Sequence, residues 1–207
     1  MGGGRDWRFG GKSILELGPF EGYGAYTFEQ LGAASVVSIE NNTTNFLKCL
    51  VVKNIFSLRT TFLLGDFVQF LESCGSRYDV CWMSGVLYHM SDPIRLLRAA
   101  SRASDVLFIR SHYYDQSLIN ADRDKQAPFR PDLDKTEEFA GRRLLLRYRS
   151  YGSRKDGEFS GGSDEHSFWL AKDDILHVLN SLGYRRIVMG HDEPNNVGPS
   201  CTMVAFR

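Results

Sequence analysis

Between residues 13 and 110, short β-like runs alternate with stretches of helical periodicity, and no other feature narrows the fold as much. The run 13–17, Ser-Ile-Leu-Glu-Leu, stops at Gly18. Further runs cover 35–39, 60–64, 78–82 and 105–110, and the third breaks at Gly65-Asp66. A helix is expected over 23–31 with Gly32 as its stop. Asn42 or Thr43 can cap the next, where Phe46, Leu47, Leu50, Val51 and Ile55 keep helical spacing. Residues 67–73 read as a short helix. Ser91-Asp92-Pro93 reads as a helix start, a capping side chain before a proline where no amide donor is needed. A later helix over 173–182 ends at Gly183, and strands follow over 184–189 and 202–206. Strands alternating with helices imply a parallel sheet covered on both faces. Residues 190–201 are too few for a helical crossover, so the last strand is expected to return antiparallel.

At 207 residues the chain reads as one domain, 1–207, with no stretch resembling a linker. Residues 111–171 break the rhythm with Pro128, Pro131, many charges and a Gly161-Gly162 turn, and are expected to form an insertion capping the substrate side. Within it, Leu144, Leu146 and Tyr148 alternate with Arg143, Arg147 and Arg149, the pattern of a hairpin strand with a basic outer face. Twenty-five basic residues balance twenty-five acidic ones, which removes any global argument for nucleic acid or acidic membranes. The group Arg142, Arg143, Arg147, Arg149, Arg154 and Lys155 could still receive an anion or RNA. Asp156, Glu158, Glu137 and Glu138 nearby favour an ordinary solvated face, so nucleic acid is not the expected partner. No apolar stretch is long enough to span a bilayer, and the N-terminus lacks the apolar segment of a secretory signal. The cysteines Cys49, Cys74, Cys81 and Cys201 form no CxxC pair, which points to a reducing cytoplasm and away from a zinc site. No metal is expected.

The chemistry is concentrated where strands end. A strand running into Gly18-Pro19-Phe20-Glu21-Gly22 and then a helix lets a ligand approach the backbone at the carboxyl edge of the sheet. Glu40 closes the second strand, where a carboxylate can accept both ribose hydroxyls of a nucleoside; a solvated helix-entry residue is the plainer reading. Asp66 closes the third, where it can accept from an adenine amino group or simply cap the following helix. Glu16 lies inside the first strand, and a buried carboxylate there needs a cationic or hydrogen-bonding neighbour. A pyrophosphate would be repelled by it, whereas a sulfonium with an ammonium would not. The spacing Gly18-x-x-x-Gly22-x-Gly24 is also not the GxGxxG of nicotinamide enzymes.

Taken in order, the acidic strand with its Gly turn, Glu40, Gly65-Asp66-Phe67 and Ser84-Gly85-Val86-Leu87-Tyr88-His89 resemble the successive motifs of class I SAM-dependent methyltransferases. The resemblance is strongest over residues 12–110. It implies a Rossmann-like α/β fold, mostly parallel, with seven strands, an antiparallel last strand and helices on both faces; the break in rhythm over 111–171 then falls as an insertion after strand five. It implies S-adenosyl-L-methionine as cofactor, with Glu16, Gly18 and Gly22 at the methionine-side turn, Glu40 and Asn41 at the ribose, Asp66 and Phe67 at the adenine, and Ser84 and Gly85 beneath the ligand. Phe20 stands where the family often has Gly, so it narrows the turn or packs on the cofactor. The implied activity is methyl transfer to an oxygen or nitrogen of a small-molecule or sugar-like acceptor. A non-catalytic SAM-binding or partner-binding module is the alternative. A tRNA-modifying branch of the fold is another, since it has a comparable Leu87-Tyr88-His89 segment and an aromatic strand like Phe168-Trp169-Leu170.

In-line displacement at a sulfonium needs alignment more than acid–base help. If a base is used, His89 at the mouth of the fourth strand is the candidate; a packing histidine is the plainer reading. His112 or Tyr114, which follow the fifth strand, are placed in the acceptor pocket, with ordinary loop residues as the alternative. His166 with Trp169 would close the cap.

Overall fold

The computed structural model describes residues 9–151, 164–194 and 196–207. Its main sheet begins with β1 (Ser13–Leu17), β2 (Ser35–Glu40), β3 (Thr61–Leu64), β4 (Val80–Ser84) and β5 (Val106–His112), and ends with β9 (Arg186–Pro194) and β10 (Pro199–Phe206). The order is β3-β2-β1-β4-β5-β10-β9, seven strands in all. β1 pairs in parallel with β2 and β4, which places the Gly18 turn beside the ends of both. β10 runs antiparallel to β5 and β9, so the short return after β9 produces the reversed last strand. Both final strands differ from the expected bounds. β9 starts later and runs further, and β10 starts three residues earlier, because the pairing continues past Gly190 through an irregular step between Cys201 and Met203.

The helices follow from local chemistry. α1 (Tyr23–Gln30) starts at Gly22, whose φ of 84° suits a residue without a Cβ. α2 (Thr43–Phe56) is capped by Asn42, α3 (Phe67–Ser73) by Asp66 and α4 (Pro93–Ala103) by Asp92, each side chain accepting from backbone N–H groups of the first turn. α7 (Lys172–Ser181) covers the sheet beside α4. One face of the sheet buries Leu15, Leu17, Met83 and Leu107 against Leu96, Leu97 and Val178. The other buries Ile14 against Phe28 and Cys49. The burial of the central strands β1 and β4 on both sides explains why they read as near-continuous apolar runs.

Between β5 and α7 the chain forms α5 (Gln116–Asn120), α6 (Arg123–Gln126) and a second sheet of β6 (Lys135–Phe139), β7 (Arg142–Ser150) and β8 (His166–Trp169), antiparallel throughout. Leu144, Leu146 and Phe168 join the main core, so this insertion is packed onto the sheet rather than hinged away from it. The solvated basic face expected on β7 is only partly there. Arg142 pairs with Asp174 at 2.8 Å, and Arg147 with Asp134 at 2.6 Å while lying over the Tyr114 ring. Arg149 is half-buried, and Arg143 is exposed. Arg154, Lys155, Asp156, Glu158 and the Gly161-Gly162 turn lie outside the described residues.

Candidate functional site

A cavity of about 640 Å³ opens where the ends of β1, β2, β3 and β4 meet. Gly18, Phe20, Glu40, Asn41, Asp66, Phe67, Ser84, Gly85 and His89 line it, so most of the residues singled out in the sequence converge on one space. Two glycines shape its floor. Gly18 has φ 65°, and a Cβ there would lie 3.1 Å from Val86 Cγ2. Gly85 has φ 81°. Phe20 takes the same left-handed backbone at φ 58° without being glycine, and is 46% exposed at the cavity rim. The turn therefore keeps a glycine-type conformation although a phenylalanine occupies it.

Glu40 holds that turn in place. One carboxylate oxygen accepts from Phe20 N at 3.1 Å and the other from Asn42 N at 2.9 Å, with the Asn41 amide contributing. Burial pushes its carboxyl above the usual range, against the pull of these amides. A carboxylate offers about four acceptor positions, so Glu40 retains capacity for hydroxyl donors from a ligand. Asp66 uses Oδ1 for the amides of Val68 and Gln69, which is the capping role read from the sequence. Its Oδ2 has no hydrogen-bond partner among the described residues, and the residue borders the cavity.

Glu16 and Gly22, expected at the methionine-side turn, are not among the residues that line the cavity. Strand alternation turns Glu16 to the face beneath α1. There Ser38 donates to it at 2.6 Å, and a Cβ on Gly24 would collide with its Oε1. Burial raises the Glu16 carboxyl to about 7, offset in part by Ser38 and reinforced by Glu40. His112 and Tyr114 are also set back. His112 stacks on Trp169 at 5.2 Å with Nδ1 facing the Pro199 carbonyl, and Tyr114 packs edge-on against Phe129. His166 stacks on Tyr148 at 4.8 Å, on the strand face opposite to Trp169, so the two do not act together.

His89 does reach the cavity, in a 3-10 turn over Leu87–His89. Its Nδ1 lies 2.7 Å from Tyr151 Oη. Burial, with Arg149 and His112 adding positive field, lowers its pKa to about 4, so the ring is neutral near pH 7. Sequence reasoning missed Asn42, Tyr88, Asp92, Arg95 and Asp164 as lining residues. Asn42 and Asp92 were legible only as caps, and Tyr88 lay inside the quoted motif with no role given to it. The lining is acidic: Glu40, Asp66, Asp92 and Asp164 face one guanidinium, Arg95, which Glu72 already pairs at 2.5 Å.

No family model matches the chain. Among solved structures, the N-terminal domain of EvdMO1, crystallised in the presence of SAH and D-fucose, gives a TM-score of 0.73 at 21% identity, covering 95% of this chain and 76% of that one. An S-adenosylmethionine dependent methyltransferase from Mesorhizobium loti gives 0.63 at 15% identity, covering 97% and 93%. Magnesium protoporphyrin IX methyltransferase from Synechocystis PCC 6803, with bound SAH, gives 0.63 at 14%, covering 96% and 75%. The chain has the class I methyltransferase fold. The reversed strand β10 between β5 and β9 and the cavity above β1 and β4 are parts of that methyltransferase architecture as it occurs here. Curated relatives are more distant in length. The tRNA U34 carboxymethyltransferase of Campylobacter jejuni is 21% identical over 197 residues, covering 90% of this chain and 66% of the relative. The enzyme of the same name from Campylobacter hominis is 30% identical over 89 residues, covering 42% and 30%. The chain thus spans 66% or less of the length of these two relatives.

Proposed function

We propose that the cavity binds S-adenosyl-L-methionine and that the protein transfers its methyl group to an oxygen or nitrogen of a small-molecule or sugar-like acceptor. The observation that carries this reading is the convergence of Glu40, Asp66 and the Gly18 turn on one acidic cavity. The residues fit the cofactor. Glu40 has acceptor capacity left for the ribose hydroxyls, Asp66 Oδ2 for the adenine amino group with Phe67 beside it, and the glycine floor leaves room for the methionine portion between Gly18, Ser84 and Gly85. Four lining carboxylates repel a pyrophosphate and favour a ligand carrying cationic sulfur and nitrogen. When bound, the sulfonium supplies an electrophilic methyl group.

The chain's own contribution is alignment and exclusion of water. Residues 111–171 serve as the cap at the acceptor end: Phe168 N donates to Met90 O at 2.9 Å, and Tyr151 meets His89, which ties the insertion to the cavity mouth. His89, held near pKa 4, is a weak base and a good hydrogen-bonding guide. It suits an acceptor that is already nucleophilic at neutral pH.

Calorimetry with SAH, SAM and NADH tests the reading. SAH and SAM bind at one site, NADH does not, and Glu40→Ala weakens SAH at least tenfold. A folded wild-type protein that binds neither SAH nor SAM rules the reading out. A second reading, action on tRNA, draws on the name of the curated relatives. Against it, Arg142 and Arg147 are neutralised by Asp174 and Asp134. Steeply salt-dependent tRNA binding would favour it.

A further inference from the structure

Four buried side-chain polar atoms lack a hydrogen-bond partner among the described residues, and three of them, Arg149 Nε, Ser167 Oγ and Trp169 Nε1, share one face of the β7–β8 ribbon. Arg149 pairs directly with Ser167 across the ribbon, and alternation returns Trp169 to the same side. The Arg149 guanidinium lies 5.3 Å from the centre of the Trp169 ring and 5.5 Å from that of Tyr151. All three atoms are able to donate, and none has an acceptor among the described residues. Arg142 and Arg147 on the same strand each have a carboxylate, whereas Arg149 has none among the described residues; the Tyr151 phenol is its hydrogen-bonding neighbour. A half-buried guanidinium with no carboxylate beside it among the described residues is costly to keep.

The aromatic and imidazole side chains around Arg149 are themselves donor-bearing. Tyr88 packs edge-on to Trp169 at 5.9 Å and edge-on to His112 at 4.6 Å. His112 stacks on Trp169, and His89 reaches the patch through Tyr151. Tyr88 and His89 line the cofactor cavity, so the patch adjoins its cap end. The carboxylates Glu40, Asp66, Asp92 and Asp164 line the cavity, and three buried donors without a partner among the described residues lie on the ribbon beside it.

We propose that Arg149, with Tyr88 and His89 in front of it and Ser167 and Trp169 behind, receives an oxyanion of the acceptor, a carboxylate or a phosphate. The outer edge of the guanidinium meets the anion, and the buried donors add their dipoles without contact. The assignment of this group to the acceptor rests on the reading of the cavity as the cofactor site.

The test uses thermal melts of the full chain in acetate or inorganic phosphate, each against chloride at matched ionic strength, for wild type, Arg149→Met and Arg149→Lys. SAH binding is measured separately on each protein. Phosphate stabilises proteins in general, so the readout is the difference between wild type and variant. A saturable upward shift in wild type, weakened at least tenfold in Arg149→Met and less in Arg149→Lys, supports the site, provided SAH affinity stays within twofold. A response to acetate alone identifies a carboxylate, and a response to phosphate alone a phosphate. Without added anion, Arg149→Met melts at or above wild type, because a half-buried charge with no carboxylate partner among the described residues is gone; a purely structural arginine would give a lower value. No saturable response in wild type, or equal responses in wild type and Arg149→Met, overturns the proposal. An anion response in a protein that fails to bind SAH supports the oxyanion seat and refutes the cofactor reading instead.

Discussion

Phe20 shows how much one residue can be asked to tolerate at a ligand turn. Its backbone sits at φ 58°, where a side chain costs about 1 kcal/mol relative to glycine. The ring is 46% exposed, so little packing offsets that cost. Phe20→Gly is therefore expected to be more stable than Phe20→Ala by about 1 kcal/mol in urea unfolding, since alanine keeps the strain and loses the ring. The opposite order would show that the turn relaxes out of the left-handed region. Glu16 makes a second prediction at this scale. Its folded pKa, about 7, lies above the ordinary 4.5. Below the ordinary value both states hold the proton and the group costs nothing. Between the two values the folded state keeps a proton that the unfolded state releases, so stability falls as pH rises, by about 3 kcal/mol in total, and levels off above neutrality. Glu16→Gln removes that slope: it melts above wild type at pH 8, and the difference shrinks by pH 5. A variant less stable than wild type at pH 8 would contradict the burial argument. That Glu16 is inside was legible in the sequence; that it turns away from the cavity was not, because the strand's register against α1 decides it.

At the scale of elements, Asp66 joins the end of β3 to α3: Oδ1 caps the helix, and the proposed adenine contact would use Oδ2. The two roles use different oxygens, and this permits a separation. Asp66→Asn keeps the acceptor for Val68 N and Gln69 N, so the melting temperature holds while SAH affinity falls. Asp66→Ala loses the cap as well, at a cost of about 1 kcal/mol. Equal SAH affinity in wild type and Asp66→Asn would confine Asp66 to capping. The helices and strands up to residue 110 were readable because each carries its own stop and start, Gly18, Gly32, Asn42, Asp66 and Asp92-Pro93 among them. The insertion was not. Only β7 announced itself by alternation, and its arginines pointed to a uniform basic face. What separates them is long-range: Asp134 and Asp174 come from other elements to pair Arg147 and Arg142, and Arg149 lies among aromatic rings with no carboxylate among the described residues. No local pattern encodes that difference.

For the whole molecule, topology followed from one short connection. β9 ends at Pro194 and β10 starts at Pro199, which leaves no room for a crossover helix, so β10 returns antiparallel and inserts between β5 and β9. The parallel strands then deliver their ends to one edge, where the cavity forms. Among the described residues no helix is long and apolar enough to cross a membrane. The residues singled out at strand ends largely converge on the cavity, whereas of His89, His112 and Tyr114 the last two are held by packing around Trp169 and His89 lines the opening. The central claim is that this edge cradles an adenosyl sulfonium. A crystal structure of the protein grown with SAH tests it most directly. The account predicts density between Gly18 and Gly85, with both ribose hydroxyls within hydrogen-bonding distance of Glu40 and the adenine amino group at Asp66. Density for SAH at another surface, or a crevice filled by the protein's own side chains under saturating ligand, would contradict it.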